Sequence, residues 1–95
     1  MSAEIESVRL IVTGGVQGVG YRIWASRTAT RLGLRGWVRN RDDGSVEALV
    51  TGARREVAAI IEACWSGPPA ARVAEVTATP AADDGGVGFV ALPTV

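Results

Sequence analysis

The residues best suited to chemistry lie in one stretch near the start of the chain, from Thr13 to Arg22. It carries four glycines in seven positions and ends on an arginine where a helical pattern begins. Glycine tolerates positive φ and close backbone approach, and successive N–H groups in such a turn can form an anion-binding nest. The following helix start adds unpaired N–H donors, and the guanidinium of Arg22 matches phosphate oxygens. The stretch predicts a phosphate-binding loop; a tight strand-to-helix turn is the alternative that glycines alone would favour.

The amino-acid composition argues against a metal site and against several classes of partner. The 95 residues include one cysteine and no histidine, which removes the commonest general base and metal ligand. We therefore expect no metal and no other cofactor. Ten arginines balance ten acidic residues, which argues against a nucleic-acid or membrane-surface protein driven by net charge. No apolar run approaches the roughly 18 residues of a membrane span. The N-terminus does not resemble a secretory signal, and a lone cysteine fits a reducing compartment, so we expect a cytoplasmic protein.

Hydrophobic periodicity predicts the elements that hold this loop. Alternation indicates strands over 8–13, 34–41, 45–50, 72–80 and, briefly, 87–92, and helical spacing indicates helices over 21–32 and 53–65. Residues 1–7 are expected to be a loose leader. The order predicts an α+β, ferredoxin-like two-layer sandwich (βαββαβ plus a short C-terminal strand), with two helices on one face of an antiparallel sheet. Monomer is the expected state, because no amphipathic surface remains once both helices cover the sheet.

Two segments, 13–22 and 32–40, resemble the signature segments of the acylphosphatase family. The resemblance continues through 43–47, Gly52 and 67–73 and covers about residues 8–92, so we expect a single acylphosphatase-like domain over 1–95. It implies hydrolysis of the carboxyl–phosphate bond of acyl phosphates, giving a carboxylate and inorganic phosphate. It implies that Arg22 is the catalytic phosphate-binding arginine and Asn40 the asparagine that orients the attacking water. The implied phosphate-binding residues are Gly15, Val16, Gln17, Gly18, Val19, Gly20, Tyr21 and Arg22.

The sequence departs from the family pattern at two loop positions. Gly15 stands where family members often carry a basic residue, which lowers the charge available to the loop. Tyr21 stands where phenylalanine is common, and both residues fit the pattern. Both implied catalytic positions are intact.

The chemistry is consistent with these residue types alone. An acyl phosphate releases a carboxylate, a good leaving group, so the protein's contribution is mostly positioning and charge stabilisation. Backbone N–H groups and one guanidinium supply that stabilisation in fixed geometry. A neutral amide such as that of Asn40 can orient a water without deprotonating it. We expect direct attack by water and no covalent phosphoenzyme.

Two other functions would make different demands on these residues. A non-catalytic phosphate- or metabolite-binding module would need the loop and Arg22, whereas only a hydrolase also needs a positioned water at Asn40. An RNA-recognition domain would need exposed aromatic side chains on its central strands and basic character, and the chain has no net charge.

The remaining polar and aromatic residues favour structural roles. Asp42 and Asp43 precede a glycine and are explained better by a turn than by acid–base catalysis. Strand parity places Arg39 and Arg41 opposite Asn40, which favours solvated or helix-paired roles over an extended phosphate site. Gln17 is equally consistent with touching the ligand and with holding the loop. Core packing is expected of the three tryptophans and of the single cysteine: Trp24, Trp37, Trp65 and Cys64. Three glutamates are expected to be ordinary surface charges: Glu47, Glu56 and Glu62.

Overall fold

The computed structural model of the chain describes residues 4–95. Within them lie five strands and two helices in the predicted order. Their bounds are β1 Ile5–Gly15, α1 Tyr21–Arg31, β2 Arg35–Asn40, β3 Val46–Ala53, α2 Arg54–Cys64, β4 Arg72–Pro80 and β5 Phe89–Ala91. The ferredoxin-like α+β prediction is confirmed.

The five strands form one sheet in the order β4-β1-β3-β2-β5. The three pairings among the first four strands in this order are antiparallel. The expectation of a wholly antiparallel sheet is wrong at one edge, because β5 runs parallel to β2 and pairs Trp37 with Val90. The chain between β4 and β5 passes from one edge of the sheet to the other, so β5 lies beside β2, the strand that carries Asn40.

The core lies between the helices and one face of the sheet. Even-numbered residues of β1 and β3 face each other across the register, as in Leu10 opposite Ala48 and Val12 opposite Val46. Leu10, Val38 and the α2 residue Val57 are completely buried. This face follows the predicted alternation of apolar side chains with a period of two. Asn40 shares the parity of Val38, so its position on β2 belongs to the helix-covered side.

The start of β1 differs from prediction by three residues. The leader was expected to reach residue 7, but β1 begins at Ile5, where it pairs with Ala53. The carbonyl of Glu4 accepts a hydrogen bond of 2.9 Å from the amide of Arg54, which ties the start of β1 to the start of α2. The rest of that predicted leader, residues 1–3, lies outside the described residues.

Helix α1 is followed by a capping glycine, Gly33, as predicted. Gly33 has φ +72°, the left-handed conformation that glycine adopts without a Cβ penalty. Its amide donates to Thr30, and the amide of Leu34 donates to the carbonyl of Ala29 at 2.9 Å. This pair of bonds is the Schellman motif, which directs the chain from α1 into β2.

The helix-free face of the sheet carries a three-residue ion cluster that the sequence did not predict. Glu47 was expected to be a surface charge, yet it is only 5% exposed. Its two carboxylate oxygens accept from Nε of Arg9 and Nε of Arg39, the latter at 2.9 Å. Burial by itself raises the pKa of Glu47, but the hydrogen bonds from both arginines outweigh it and hold the pKa below its usual value. We call Arg9, Glu47 and Arg39 the Glu47 cluster.

The tryptophans differ from the core packing expected of them. Trp65 is 48% exposed. Trp37 is half-buried on the helix-free face, where the guanidinium carbon of Arg39 lies 4.6 Å from its ring centroid. Only Trp24 packs against the core, with its ring 5.2 Å from that of Tyr21. Cys64 is buried as predicted, and burial raises the pKa of its thiol to about 11.

Candidate active site

The glycine loop joins the end of β1 to the start of α1. A register irregularity between Thr13 and Gly14 interrupts the pairing of β1 with β4, which then continues through Gly14 and Gly15 to the end of β1. Gly18 and Gly20 then have φ of +73° and +81°, values that residues with a Cβ rarely adopt. Gly20 is also the N-cap of α1, and its carbonyl accepts the first helical hydrogen bond, from Trp24 at 3.0 Å. The glycines therefore let a tight loop lead directly into a helix.

The loop leaves a continuous run of backbone donors unpaired. Within residues 4–95, no backbone N–H from Gln17 to Ile23 donates a hydrogen bond to the protein. The last three belong to the first turn of α1, where N–H groups have no partner inside the helix. They also lie at the positive end of the helix dipole. The run has the character of an anion-binding nest joined to a helix N-terminus.

Gln17 holds this loop against the hairpin between β2 and β3. Its side-chain nitrogen Nε2 donates to the carbonyl of Arg41 at 2.7 Å and to the carbonyl of Ser45 at 2.9 Å. These two bonds use both donors of the amide group. Of the two roles left open for Gln17, the contacts support anchoring of the loop.

The hairpin to which Gln17 binds is itself fixed by Asp43. Its Oδ1 accepts from the amide of Ser45 at 2.9 Å and from the Ser45 hydroxyl at 2.6 Å. The Ser45 hydroxyl bond, followed by the Ser45 amide bond, lowers the pKa of Asp43. Gly44 completes the turn with φ +90°. The turn role expected for the aspartates is therefore the one that Asp43 performs.

Arg22 is half-buried in the first turn of α1. Its Nη1 donates to the carbonyl of Leu92 at 2.9 Å. None of the salt bridges within residues 4–95 involves Arg22. A neutral carbonyl thus fixes the side chain while its positive charge has no carboxylate partner in the described chain.

The C-terminal segment that supplies this carbonyl also supports Asn40. The amide of Leu92 donates to the carbonyl of Val38 at 2.8 Å, and the amide of Val95 donates to the carbonyl of Asn40 at 3.1 Å. The side-chain amide of Asn40 makes no hydrogen bond to residues 4–95. Both its donor and its acceptor are therefore available to a water or a ligand.

Arg22 and Asn40 meet at one cavity of about 130 Å³. Loop residues and the first turn of α1 complete its wall, which consists of Val16, Gly18, Gly20, Tyr21, Arg22, Ile23 and Asn40. A strand residue is thereby brought beside a helix residue 18 positions earlier in the sequence. The arrangement offers a guanidinium, free backbone donors and one unpaired amide to a small anion.

Tyr21 anchors the helix end that forms this cavity. Its hydroxyl donates to the carbonyl of Cys64 at 2.7 Å, which links the start of α1 to the end of α2. Burial, the largest cause, raises the pKa of Tyr21 well above its ordinary value, and Cys64 adds to the shift. The phenol therefore stays neutral and serves as a structural donor. Tyr21 is also one of the residues of the cavity wall.

The predicted site residues divide into two groups. Five of the eight predicted phosphate-binding residues line the cavity together with Asn40: Val16, Gly18, Gly20, Tyr21 and Arg22. Three do not line it. Gly15 is the last residue of β1 and pairs with Arg72, Gln17 binds the hairpin, and Val19 packs against the core. Arg39 and Arg41 are absent from its wall, and Arg39 pairs with strand residue Glu47 rather than with a helix.

Two contributions to the site were missed from the sequence. Leu92 acts through its carbonyl, which no side-chain pattern reveals, and it reaches Arg22 only because β5 lies beside β2. Ile23 lines the cavity because it follows Arg22 in the helix. Among residues 4–95, no three His, Cys, Asp or Glu side chains converge where they could hold a metal ion. Neither helix in that range is long and apolar enough to cross a membrane.

Comparisons with known proteins show the family to which the chain belongs. A family model described as acylphosphatase matches residues 8–91. An acylphosphatase of Bradyrhizobium diazoefficiens is 49% identical over 94 residues, which cover 93% of this chain and 95% of the relative. An acylphosphatase of Azoarcus sp. is 54% identical over 85 residues, covering 90% of this chain and 87% of the relative.

A solved structure gives the same result. The acylphosphatase of Bacillus subtilis superposes with a TM-score of 0.88 at 36% identity, covering 94% of this chain and 99% of that one. The sequence match runs through both the glycine loop and the Asn40 strand, which are the parts that form the cavity. The chain therefore belongs to the acylphosphatase family of enzymes.

Proposed function

We propose that the chain hydrolyses the carboxyl–phosphate bond of acyl phosphates, with the phosphoryl group bound at the cavity between the glycine loop and Asn40. The observation that carries this proposal is the meeting of Arg22 and Asn40 at one cavity. Arg22 has no carboxylate partner among residues 4–95. A phosphoryl group would supply the missing negative charge.

In the proposed reaction, backbone donors and Arg22 hold the phosphoryl oxygens and stabilise the charge that develops on them. The relevant N–H groups belong to the run 17–23, which has no partner within the described chain. Asn40 orients a water on the phosphorus. The water oxygen bonds to phosphorus as the bond from phosphorus to the carboxyl oxygen breaks. The carboxylate leaves with the bonding electron pair, and the water proton passes to a phosphate oxygen or to solvent.

The residues at the cavity suit this direct route. A carboxylate leaves without needing a strong acid, so positioning and charge stabilisation suffice. The wall contains no cysteine, serine, histidine or carboxylate to act as nucleophile or general base. We propose that the reaction needs no metal ion. We also propose that the protein acts as a cytoplasmic monomer, because its one cysteine, Cys64, is buried and free and both helices pack on the sheet.

The test is hydrolysis of benzoyl phosphate, with a chelator present, by the unaltered protein and by Asn40→Ala. We expect turnover to resist the chelator and to fall about a hundredfold in Asn40→Ala, because an attacking group displaced by about 1 Å can cost that much. Inorganic phosphate should still bind the variant through Arg22. Arg41→Ala is the matched control, since Arg41 neighbours Asn40 in sequence but does not line the cavity.

Two further readouts separate this mechanism from its alternatives. In ¹⁸O-labelled water the label should enter phosphate and not the carboxylate, and acid quenching during turnover should trap no phosphate on the protein. A covalent phosphoprotein would contradict direct attack by water. Absence of turnover together with retained phosphate binding would identify a binding module instead.

A further inference from the structure

The cavity is too small to hold both the phosphoryl group and an aromatic or similarly large acyl group. Its volume is about 130 Å³, and a protein cavity of about 150 Å³ accommodates a single benzene-sized group. With the phosphoryl group beside Arg22 and the loop, a large acyl group must extend over the rim of the cavity. The rim residues therefore meet the part of the substrate that differs from one acyl phosphate to another.

Apart from the glycines, Ile23 is the one exposed apolar residue among those that line the cavity. Of the other lining residues, Val16 and Tyr21 are 0% and 2% exposed, and Gly18 and Gly20 have no side chain. Arg22 and Asn40 present polar groups. Ile23, by contrast, is 59% exposed and lines the same cavity. A group that leaves the cavity over this part of the rim meets an aliphatic surface.

Packing within the fold does not account for an isoleucine here. The core side of α1 is marked by Tyr21 and Ala25, which are 2% and 4% exposed. Ile23 lies two residues from each, about 200° around the helix axis from both. It therefore projects from the side opposite the core, immediately after the arginine that faces the cavity.

We propose that Ile23 forms the acyl-side contact of the site and gives it a preference for acyl phosphates with an apolar acyl group, aromatic or aliphatic, over the smallest ones. This inference rests on the proposed function. Contact with an apolar acyl group removes water from both surfaces and so strengthens substrate binding. Because the acyl carbon chain takes no part in the displacement at phosphorus, the contact acts equally on bound substrate and transition state and affects KM rather than kcat.

The experiment compares benzoyl phosphate with acetyl phosphate in the full chain and in Ile23→Ala. We expect kcat/KM for benzoyl phosphate to fall about fivefold, mostly through KM, as for loss of part of one aliphatic side chain's contact. For acetyl phosphate the change should be less than about twofold. Competitive inhibition by inorganic phosphate should not change, because the phosphate-binding groups are intact. Ile23→Leu should restore the benzoyl preference.

Ile5→Ala is the matched control, since Ile5 is 63% exposed and lies at the start of β1, away from the cavity wall. It should leave both substrates unaffected. Equal losses for both substrates in Ile23→Ala, or no loss for either, would overturn the acyl-contact role while leaving the proposed hydrolysis intact. If the unaltered protein hydrolysed neither substrate, the proposed function itself would fail, so the two failures are distinguishable.

Discussion

Arginines on the two sides of the sheet occupy opposite electrostatic situations. On the helix-covered side, Arg22 is held by the neutral carbonyl of Leu92. On the helix-free side, Arg9 and Arg39 both donate to the carboxylate of Glu47. Arg22 and Arg39 are both half-buried, so exposure does not distinguish them. The partner does.

This difference shows what makes an arginine available to an anionic ligand. A carbonyl fixes the guanidinium and satisfies one donor while leaving the net charge uncompensated. A carboxylate removes the charge as well, and it competes with any anion that approaches. In the Glu47 cluster two arginines share one carboxylate, and the cluster joins β1, β3 and β2 across the sheet. The first arrangement serves binding, and the second holds strands together.

The largest expected effect breaks the first arrangement. Arg22→Ala should lower kcat/KM for benzoyl phosphate about a thousandfold, the upper range for loss of one charge-stabilising donor. Binding of inorganic phosphate should become too weak to measure by calorimetry. Stability should change little, because the side chain makes one hydrogen bond to the protein. Arg39→Ala should show the converse, with kcat/KM within about twofold and reduced stability, and a larger kinetic loss there than in Arg22→Ala would contradict the comparison.

The next effect breaks the second arrangement. Glu47→Ala leaves Arg9 and Arg39 without their shared carboxylate, and removing one partner of a fully buried pair costs about 3–5 kcal/mol. The arginine side chains are 43% and 30% exposed, so solvent screens part of that cost. We expect the free energy of unfolding in urea to fall by about 2 kcal/mol. Phosphate affinity of the folded variant should stay as in the unaltered protein; its loss would show that the two regions are coupled.

A smaller effect tests the connection between the two regions. Gln17 joins the glycine loop to the hairpin that also carries Arg39 and Glu47 through its flanking strands. Gln17→Ala removes both bonds, so the loop should sample more conformations before it binds an anion. We expect kcat/KM to fall about tenfold, since binding then includes ordering of the loop. Gln17→Glu is the sharper control, because it keeps the size of the side chain but lacks its N–H donors.

Much of the fold, and the positions of the loop and of Asn40 within it, could be predicted from the sequence. Period-two alternation in β1 and β3, the glycines and the family resemblance were sufficient for the fold, for the loop and for the place of Asn40. These signals are local, or they are patterns of residue type. The position of Arg22 in the first turn of α1 followed in the same way.

The parts that could not be predicted depend on neighbours across the sheet. Glu47 has the sequence context of a surface charge, and its burial follows from the register that places it between Arg9-bearing β1 and Arg39-bearing β2. The carbonyl of Leu92 reaches Arg22 because β5 pairs parallel to β2. Residue types carry no information about a backbone acceptor, and parity alone does not say which strands lie next to each other.

The smallest effect is the pH-dependent part of the Glu47 contribution. The two arginines hold the pKa of Glu47 in the folded protein below its usual value despite burial, and the unfolded value is about 4.3. The folded state therefore releases this proton more readily than the unfolded state. The stabilisation is fully present above pH of about 4.3 and is lost as the pH falls through the folded pKa. The difference in unfolding free energy between the unaltered protein and Glu47→Gln, measured in urea from pH 7 downward, should stay constant to about pH 5 and then shrink.

Arg22→Ala is the control for this pH profile. Arg22 forms no salt bridge within residues 4–95, so Arg22→Ala should leave the pH profile of the unfolding free energy unchanged. A shift of the profile in Arg22→Ala would mean that the charge of Arg22 is compensated inside the fold.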